Sequence, residues 1–175
     1  MKISKFNFKK VNSTNNTAIK MVKNSNLNFG MIISETQKNG KGQYARKWIS
    51  NKGNLFVSFF FNLDRSNLST KQLTKINCLL VKKFISNFYK KKITFKSPND
   101  LLINKKKVSG ILQETIYKNN HRFLIVGIGI NIVKSPKIKN YPTTSLLEVL
   151  GEKIDYMFSI NLLRSIFEKK YFKII

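Results

Sequence analysis

The chain has 175 residues, 42% hydrophobic and 12% aromatic, and 33 lysines and arginines against 8 acids give it a formal charge of +25. That length suits one domain with a real core, the composition excludes a disordered polymer, and no apolar run nears the roughly 18–20 residues of a membrane-spanning helix. Only four of the basic residues are arginines (Arg46, Arg65, Arg122, Arg164), so the charge reads either as solvated lysine faces from AT-rich coding or as salt-sensitive attraction to polyanions.

In chain order, residues 2–8 alternate and predict an edge strand. Nothing in MKISKFNFKK resembles a secretory signal. Ser13, Thr14 and Asn15 are N-cap types ahead of a helix whose apolar face is Ala18, Met21 and Val22. Phe29 to Glu35 reads as a buried strand. It leads into ETQKNGKGQYARKW (residues 35–48), which holds Gly40 and Gly42, the cations Lys38, Lys41, Arg46 and Lys47, and the indole of Trp48. A second apolar run, NLFVSFFF (54–61), follows. Strand, basic glycine loop, strand is a way to hold a negatively charged ligand against a sheet, or else a solvated turn.

Leu73, Ile76, Leu79, Leu80, Phe84 and Phe88 recur at helical spacing after the serines at 66–69, with lysines on the other face up to Lys92. This predicts the longest helix, and Cys78 belongs to its core. A single cysteine excludes an intrachain disulfide and fits a reducing cytoplasm. Residues 93–133 read as three or four successive strands, with Asn119–Asn120 as a turn. Two helices end the chain, one over SLLEVL stopped by Gly151 and one from Ser159 to about Lys173. The order predicts a single α+β domain over 1–175, a mixed, mostly antiparallel sheet with its helices grouped on one side.

With one histidine, His121, and one cysteine, His-based triads and multi-ligand zinc sites are excluded. No GxxxxGK[ST] loop occurs, and GIGIN has too few glycines for a dinucleotide fingerprint. What remains is a scatter of lysines, glycines, amides and one aspartate. Such a set suits reactions in which the substrates bring the nucleophile and the protein neutralises charge, for example an acid condensing with ATP. A carboxylate attacking a phosphate is repelled by it, and one unit-charge pair at ~4 Å is worth about 4 kcal/mol at an effective dielectric of ~20. A few placed cations offset that, and the carboxylate needs no general base because it is already ionised.

Five motifs in order carry a resemblance: Ser13-Thr14-Asn15; Gln37-x-x-Gly40-Lys41-Gly42 continuing to Arg46-x-Trp48; Lys96-x-Pro98-Asn99-Asp100-Leu101; Lys107-Val108-x-Gly110-Ile111-Leu112; and Gly127-Ile128-Gly129-Ile130-Asn131. From Val11 to about Leu147 the chain resembles biotin protein ligase, catalytic core only. The resemblance implies a class II aminoacyl-tRNA synthetase/biotin synthetase-like fold, activation of biotin to biotinyl-5'-AMP, and transfer to a lysine of a carboxylase's biotin carrier domain. ATP and biotin would be substrates, with Mg2+ held mainly by the phosphates and no metal ligands from the protein.

On the same basis Lys107, Arg46 and Asp100 are the catalytic candidates. Ser13, Thr14, Asn15, Gln37, Gly40, Lys41, Gly42, Gln43, Lys107, Gly110, Ile111 and Leu112 would bind biotin. Lys41, Arg46, Trp48, Asn99 and Asn131 would meet the nucleotide. Trp48 also reads as core, and packing and adenine contact are compatible. The chain departs from the family pattern at Lys41, Gln43 and Ala45, where arginine, arginine and glycine are usual, and at Ser97, where tryptophan is.

The single cysteine and the short apolar runs predict a cytoplasmic enzyme that meets no membrane, and the lack of a winged-helix segment predicts no specific DNA binding. No winged helix is expected before residue 1 and no β-barrel after Ile175. Sheet-edge homodimers are common in the family, and the sequence leaves the oligomeric state open. Two other functions stay open: a lipoate or octanoate ligase of the same fold, opposed by the lack of an RRxxGGG-type loop, and a lysine-rich nucleic-acid-binding module.

Overall fold

A computed structural model describes residues 2–175. Strand β1 (Lys5–Val11) and strand β2 (Phe29–Gln37) run parallel, joined by helix α1 (Thr14–Asn24), whose N-cap Ser13 accepts a hydrogen bond from Asn16 N. The basic loop folds as a small hairpin, β3 (Gly40–Lys41) and β4 (Lys47–Trp48), where the sequence reading has only a loop. There follow β5 (Leu55–Asn62), α2 (Thr70–Ile85), β6 (Ile93–Lys96), β7 (Asp100–Ile103), β8 (Lys106–Lys118), β9 (His121–Ile130), α3 (Leu146–Leu150) and α4 (Tyr156–Tyr171). The main sheet has the order β1-β2-β5-β9-β8-β7-β6, and every neighbouring pair in it except β1–β2 is antiparallel.

Strand β5 explains where the core lies. Seven of its eight residues are buried, because both faces of the sheet are covered there. Leu55, Val57, Phe59 and Phe61 face α2 and α4, and rings stack across that layer: Phe59 on Phe167 at 4.3 Å and Phe61 on Tyr171 at 3.9 Å between centroids. Phe60 looks the other way, packing with Ile32, Phe123 and Ile125 against Ala18 and Val22 of α1. The helices are therefore not grouped on one side. The sequence expectation fails at α1, which takes the opposite face alone.

Helix α2 begins with a capping box between Ser69 and Gln72 and stops at Ile85, short of the expected Lys92. Phe88 and Tyr89 turn back to donate to the Ile85 carbonyl at 3.0 and 2.9 Å, and Phe88 packs edge-on against Phe84 from that turn. The apolar spacing thus continues past the helix itself. Helix α4 starts at Tyr156, earlier than Ser159, because Asp155 caps it; it has 16 residues, as many as α2.

The register places two rows of residues on the α1 face of the sheet. Ser34, Phe56, Gly129, Gly110 and Asp100 are successive cross-strand partners, and beside them run Ile32, Ser58, Gly127 and Leu112. Three glycines fall next to one another in these rows, so this patch of sheet has no side chains of its own.

Candidate active site

That bare patch is filled from outside. A Cβ at Gly129 would lie 2.4 Å from the Trp48 ring, and one at Gly110 would lie 2.7 Å from it, so the indole rests directly on the sheet backbone. A Cβ at Gly127 would come within 2.2 Å of Asn15 Oδ1. Between Trp48 at one end and the start of α1 at the other, a cleft of about 540 Å³ opens along this face.

Its roof is the β3–β4 hairpin. Gly42 N donates to Arg46 O at 2.7 Å and Arg46 N to Gln43 O at 3.1 Å, closing a turn in which Tyr44 and Ala45 both take left-handed backbone, φ 54° and 58°. That conformation explains why glycine suits position 45 and why alanine is strained there. Lys41 extends from the hairpin to donate to Asn16 Oδ1 at 2.8 Å.

At the α1 end, Thr14 donates to Gln37 Oε1 through its amide (2.8 Å) and its hydroxyl (3.2 Å), while Gln37 Nε2 donates to Ser50 Oγ at 3.1 Å. Asn15 is buried. It accepts from Ser58 Oγ at 2.5 Å and donates to Glu114 Oε2 at 2.6 Å, pinning the first turn of α1 to two strands.

At the Trp48 end the charges meet. Lys107 Nζ pairs with Asp100 Oδ1 at 2.8 Å and lies 5.1 Å from the Trp48 ring. Asp100 Oδ2 accepts from the Tyr141 hydroxyl at 2.6 Å. Desolvation, with Asp100 adding to it, pushes the Tyr141 phenol well above its ordinary value, so it stays protonated and donates. The segment carrying Tyr141 is strapped to the lysine's own backbone: Lys107 N donates to Pro142 O and Thr144 N to Lys107 O, each at 2.9 Å.

Apart from Gly40, every residue named from the sequence as a site candidate lines this one cleft. Gly40 opens the hairpin opposite Trp48 and is buried, where a Cβ would meet Trp48 O at 2.6 Å and Gln37 Nε2 at 3.0 Å. Asn99 lines the cleft but spends its amide on Ile111 O at 2.7 Å, tying the β6–β7 turn to β8. Asn131 donates to Thr144 O at 3.0 Å, and its Oδ1 is buried without a protein partner. Trp48 Nε1 is likewise buried and unpartnered. Cys78 is core, as expected, and burial pushes its thiol up to about 11.

Residues 8–131 match the biotin/lipoate A/B protein ligase family. The chain belongs to that family. It is 33% identical over 169 residues to the bifunctional ligase/repressor BirA of Bacillus subtilis, a match covering 92% of this chain and 51% of that protein. The chain thus spans about half the length of such curated relatives. Among solved structures it is similar to biotin protein ligase from Aquifex aeolicus in complex with biotin and ATP, at 28% identity and a TM-score of 0.81 over 97% of this chain and 71% of the other. The Leishmania major biotin protein ligase, solved with biotinyl-5-AMP, shares the fold at 19% identity and a TM-score of 0.78, covering 98% and 81% of the two chains. The mixed sheet is therefore the class II synthetase-like fold of the biotin ligases.

For this biotin/lipoate ligase family member the fit to a metal ion can be tested on its side chains. Among the described residues no group of three or more His, Cys, Asp or Glu gathers to hold one. Asp100 is the one carboxylate on the cleft, and both its oxygens are engaged. These side chains do not fit a resident cation. Four contributors escaped the sequence reading: Tyr141, Ser58, Glu114 and Asn54. Tyr141 sits in a basic stretch, SPKIKNYP, with no pattern to single it out, and the other three act through partners far away in the chain.

Proposed function

We propose that this chain joins biotin to ATP as biotinyl-adenylate and transfers the biotinyl group to a lysine of a carboxylase's biotin carrier domain. One observation carries the reading: the ammonium of Lys107, on β8, lies 5.1 Å from the ring of Trp48, which ends the basic hairpin, so two motifs far apart in the chain meet over a glycine-floored cleft that Arg46 also lines.

In the proposed reaction the biotin carboxylate attacks the α-phosphorus, a P–O bond forms, and pyrophosphate leaves. Lys107 and Arg46 offset the charge crowded at that phosphorus. Thr14 and Gln37 supply donors and acceptors for the polar ring of biotin at the far end, and Trp48 with the free acceptor of Asn131 takes the adenine. In the second step a carrier lysine, as the neutral amine, attacks the acyl carbon, AMP departs, and an amide remains. Magnesium belongs to the nucleotide as MgATP. The lysine-rich exterior speeds encounter with an acidic carrier domain.

The test is direct. Incubate the purified protein with biotin, MgATP and a biotin carrier domain and weigh the carrier. The expected result is one biotinyl adduct that needs both small molecules; an unmodified carrier, with no biotin-dependent pyrophosphate release, overturns the reading.

A further inference from the structure

Of the groups around Lys107, the one that neither the motifs nor the proposed chemistry uses is Tyr141. Its surroundings are specific. The hydroxyl donates to Asp100 Oδ2 at 2.6 Å while the other oxygen of the same carboxylate holds Lys107 at 2.8 Å, so one carboxylate bridges phenol and ammonium. The ring meets two cations at once. Lys107 Nζ lies 5.6 Å from its centroid and Lys96 Nζ 4.2 Å from it. Trp48 flanks Lys107 at 5.1 Å. The lysine is thus held by one carboxylate and two aromatic faces.

We propose that Tyr141 is a positioning residue for Lys107, acting through Asp100 and through its own ring; this rests on the ligase reading above. A carboxylate that gives all its lone pairs to one ammonium holds it tightly. The Tyr141 hydroxyl takes up one oxygen, fixes the direction of the carboxylate, and leaves the ammonium bound on one side and open on the side that faces the cleft. The ring also spaces two like charges. Lys96 lies against a face of the phenol, so the ring sets its separation from Lys107 and presents the pair as two fixed cations along the cleft rather than two that drift apart. The strap carrying Tyr141 is hydrogen-bonded to the backbone of Lys107 directly after the tyrosine, through Pro142 and Thr144, so tyrosine and lysine move as one unit.

Because the role is alignment, its loss falls on turnover. Tyr141→Phe keeps the ring and drops the hydroxyl. It should lower kcat for biotin-dependent ATP–pyrophosphate exchange about tenfold, the worth of one hydrogen bond to a charged group, with the KM for biotin unchanged within about twofold. If Tyr141 acts through Asp100, the same change in an Asp100→Asn background should cost less than about twofold more. A second readout needs no turnover. Trp48 is the only tryptophan, so its emission and quenching report on the neighbouring ammonium. Tyr141→Phe and Asp100→Asn should shift that signal alike, and the double variant no further.

Wild-type kcat in Tyr141→Phe, a tenfold loss that persists in the Asp100→Asn background, or an unchanged Trp48 signal would each overturn the proposal. If the wild-type protein shows no biotin-dependent exchange, the ligase reading fails on its own. The Trp48 measurement then still decides whether Tyr141 places Lys107.

Discussion

Asn15 occupies the space in which a side chain at Gly127 would stand: a Cβ there would lie 2.2 Å from the Asn15 amide oxygen. The asparagine cannot step aside cheaply, since Ser58 and Glu114 hold both ends of its amide. Gly127→Ala should therefore displace the first turn of α1, and Thr14 with it. We expect a stability loss of about 1–3 kcal/mol and weaker biotin binding, read by thermal melting and calorimetry. Tight biotin binding in a variant that melts like wild type would contradict this.

Lys107→Ala should abolish adenylation, by about 10²–10³-fold or more in biotin-driven ATP–pyrophosphate exchange, and leave the fold standing. Asp100 keeps its bond from Tyr141 and some contact with solvent, so the stability cost should fall short of the roughly 3–5 kcal/mol of a fully buried pair. Exchange that survives the substitution would remove the lysine from the chemistry.

The hairpin yields a pair of expectations that point the same way. Ala45 sits at φ 58°, a conformation that costs a non-glycine residue about 1–2 kcal/mol, so Ala45→Gly should tighten the closed turn despite its greater freedom when unfolded. Gln43 lines the cleft as a neutral amide, and Gln43→Arg adds a positive charge to that lining. Dissociation of biotinyl-adenylate should slow in both variants; rates equal to wild type would show that this loop does not govern release.

Most of the cleft is legible in the sequence because its parts are contiguous motifs, each tied to one structural need. The glycines at 110, 127 and 129 are required by a tryptophan and an asparagine lying on the sheet, and Lys107 is held beside that tryptophan. The unbroken apolar run of β5 also implies a strand covered on both faces, which is the evidence for α1 alone on its side. Periodicity misleads where apolar residues pack from a turn, as Phe88 does. Tyr141 and Asn54 escape because nothing local marks them: each meets its partner only after the sheet has formed.

Asn54 makes that last point testable. Its buried side-chain oxygen accepts from Ile132, Val133 and Lys134 amides at 3.0, 2.9 and 3.1 Å, and its Nδ2 donates to Lys134 O at 2.6 Å. One side chain thus turns the chain out of β9 towards the strap that holds Tyr141. Asn54→Ala should cost about 2–3 kcal/mol in urea unfolding. Asn54→Asp keeps the acceptor but sets a second oxygen against the Lys134 carbonyl, so it should not restore wild-type stability. Wild-type stability in Asn54→Ala would show that these bonds do not hold the turn.

The strap should also loosen with acid, and Glu148 is the group that senses it. Burial works to raise its carboxyl, but bonds from Ser135, the Ser145 amide and Thr144 outweigh it and hold the group below its ordinary value of 4.5. A carboxyl depressed in the folded state adds stability that is complete above 4.5 and is lost as pH falls through the lower folded value. Asp64 is depressed in the same way by His121 and Arg122, after burial is overcome, so the comparison must be made against a variant rather than against neutral pH alone. Glu148→Gln removes this contribution and leaves that of Asp64. The stability gap between wild type and Glu148→Gln, measured by urea unfolding, should be widest above pH 4.5 and shrink below it. A gap that stays constant with pH would mean that the carboxylate's charge does not hold the strap.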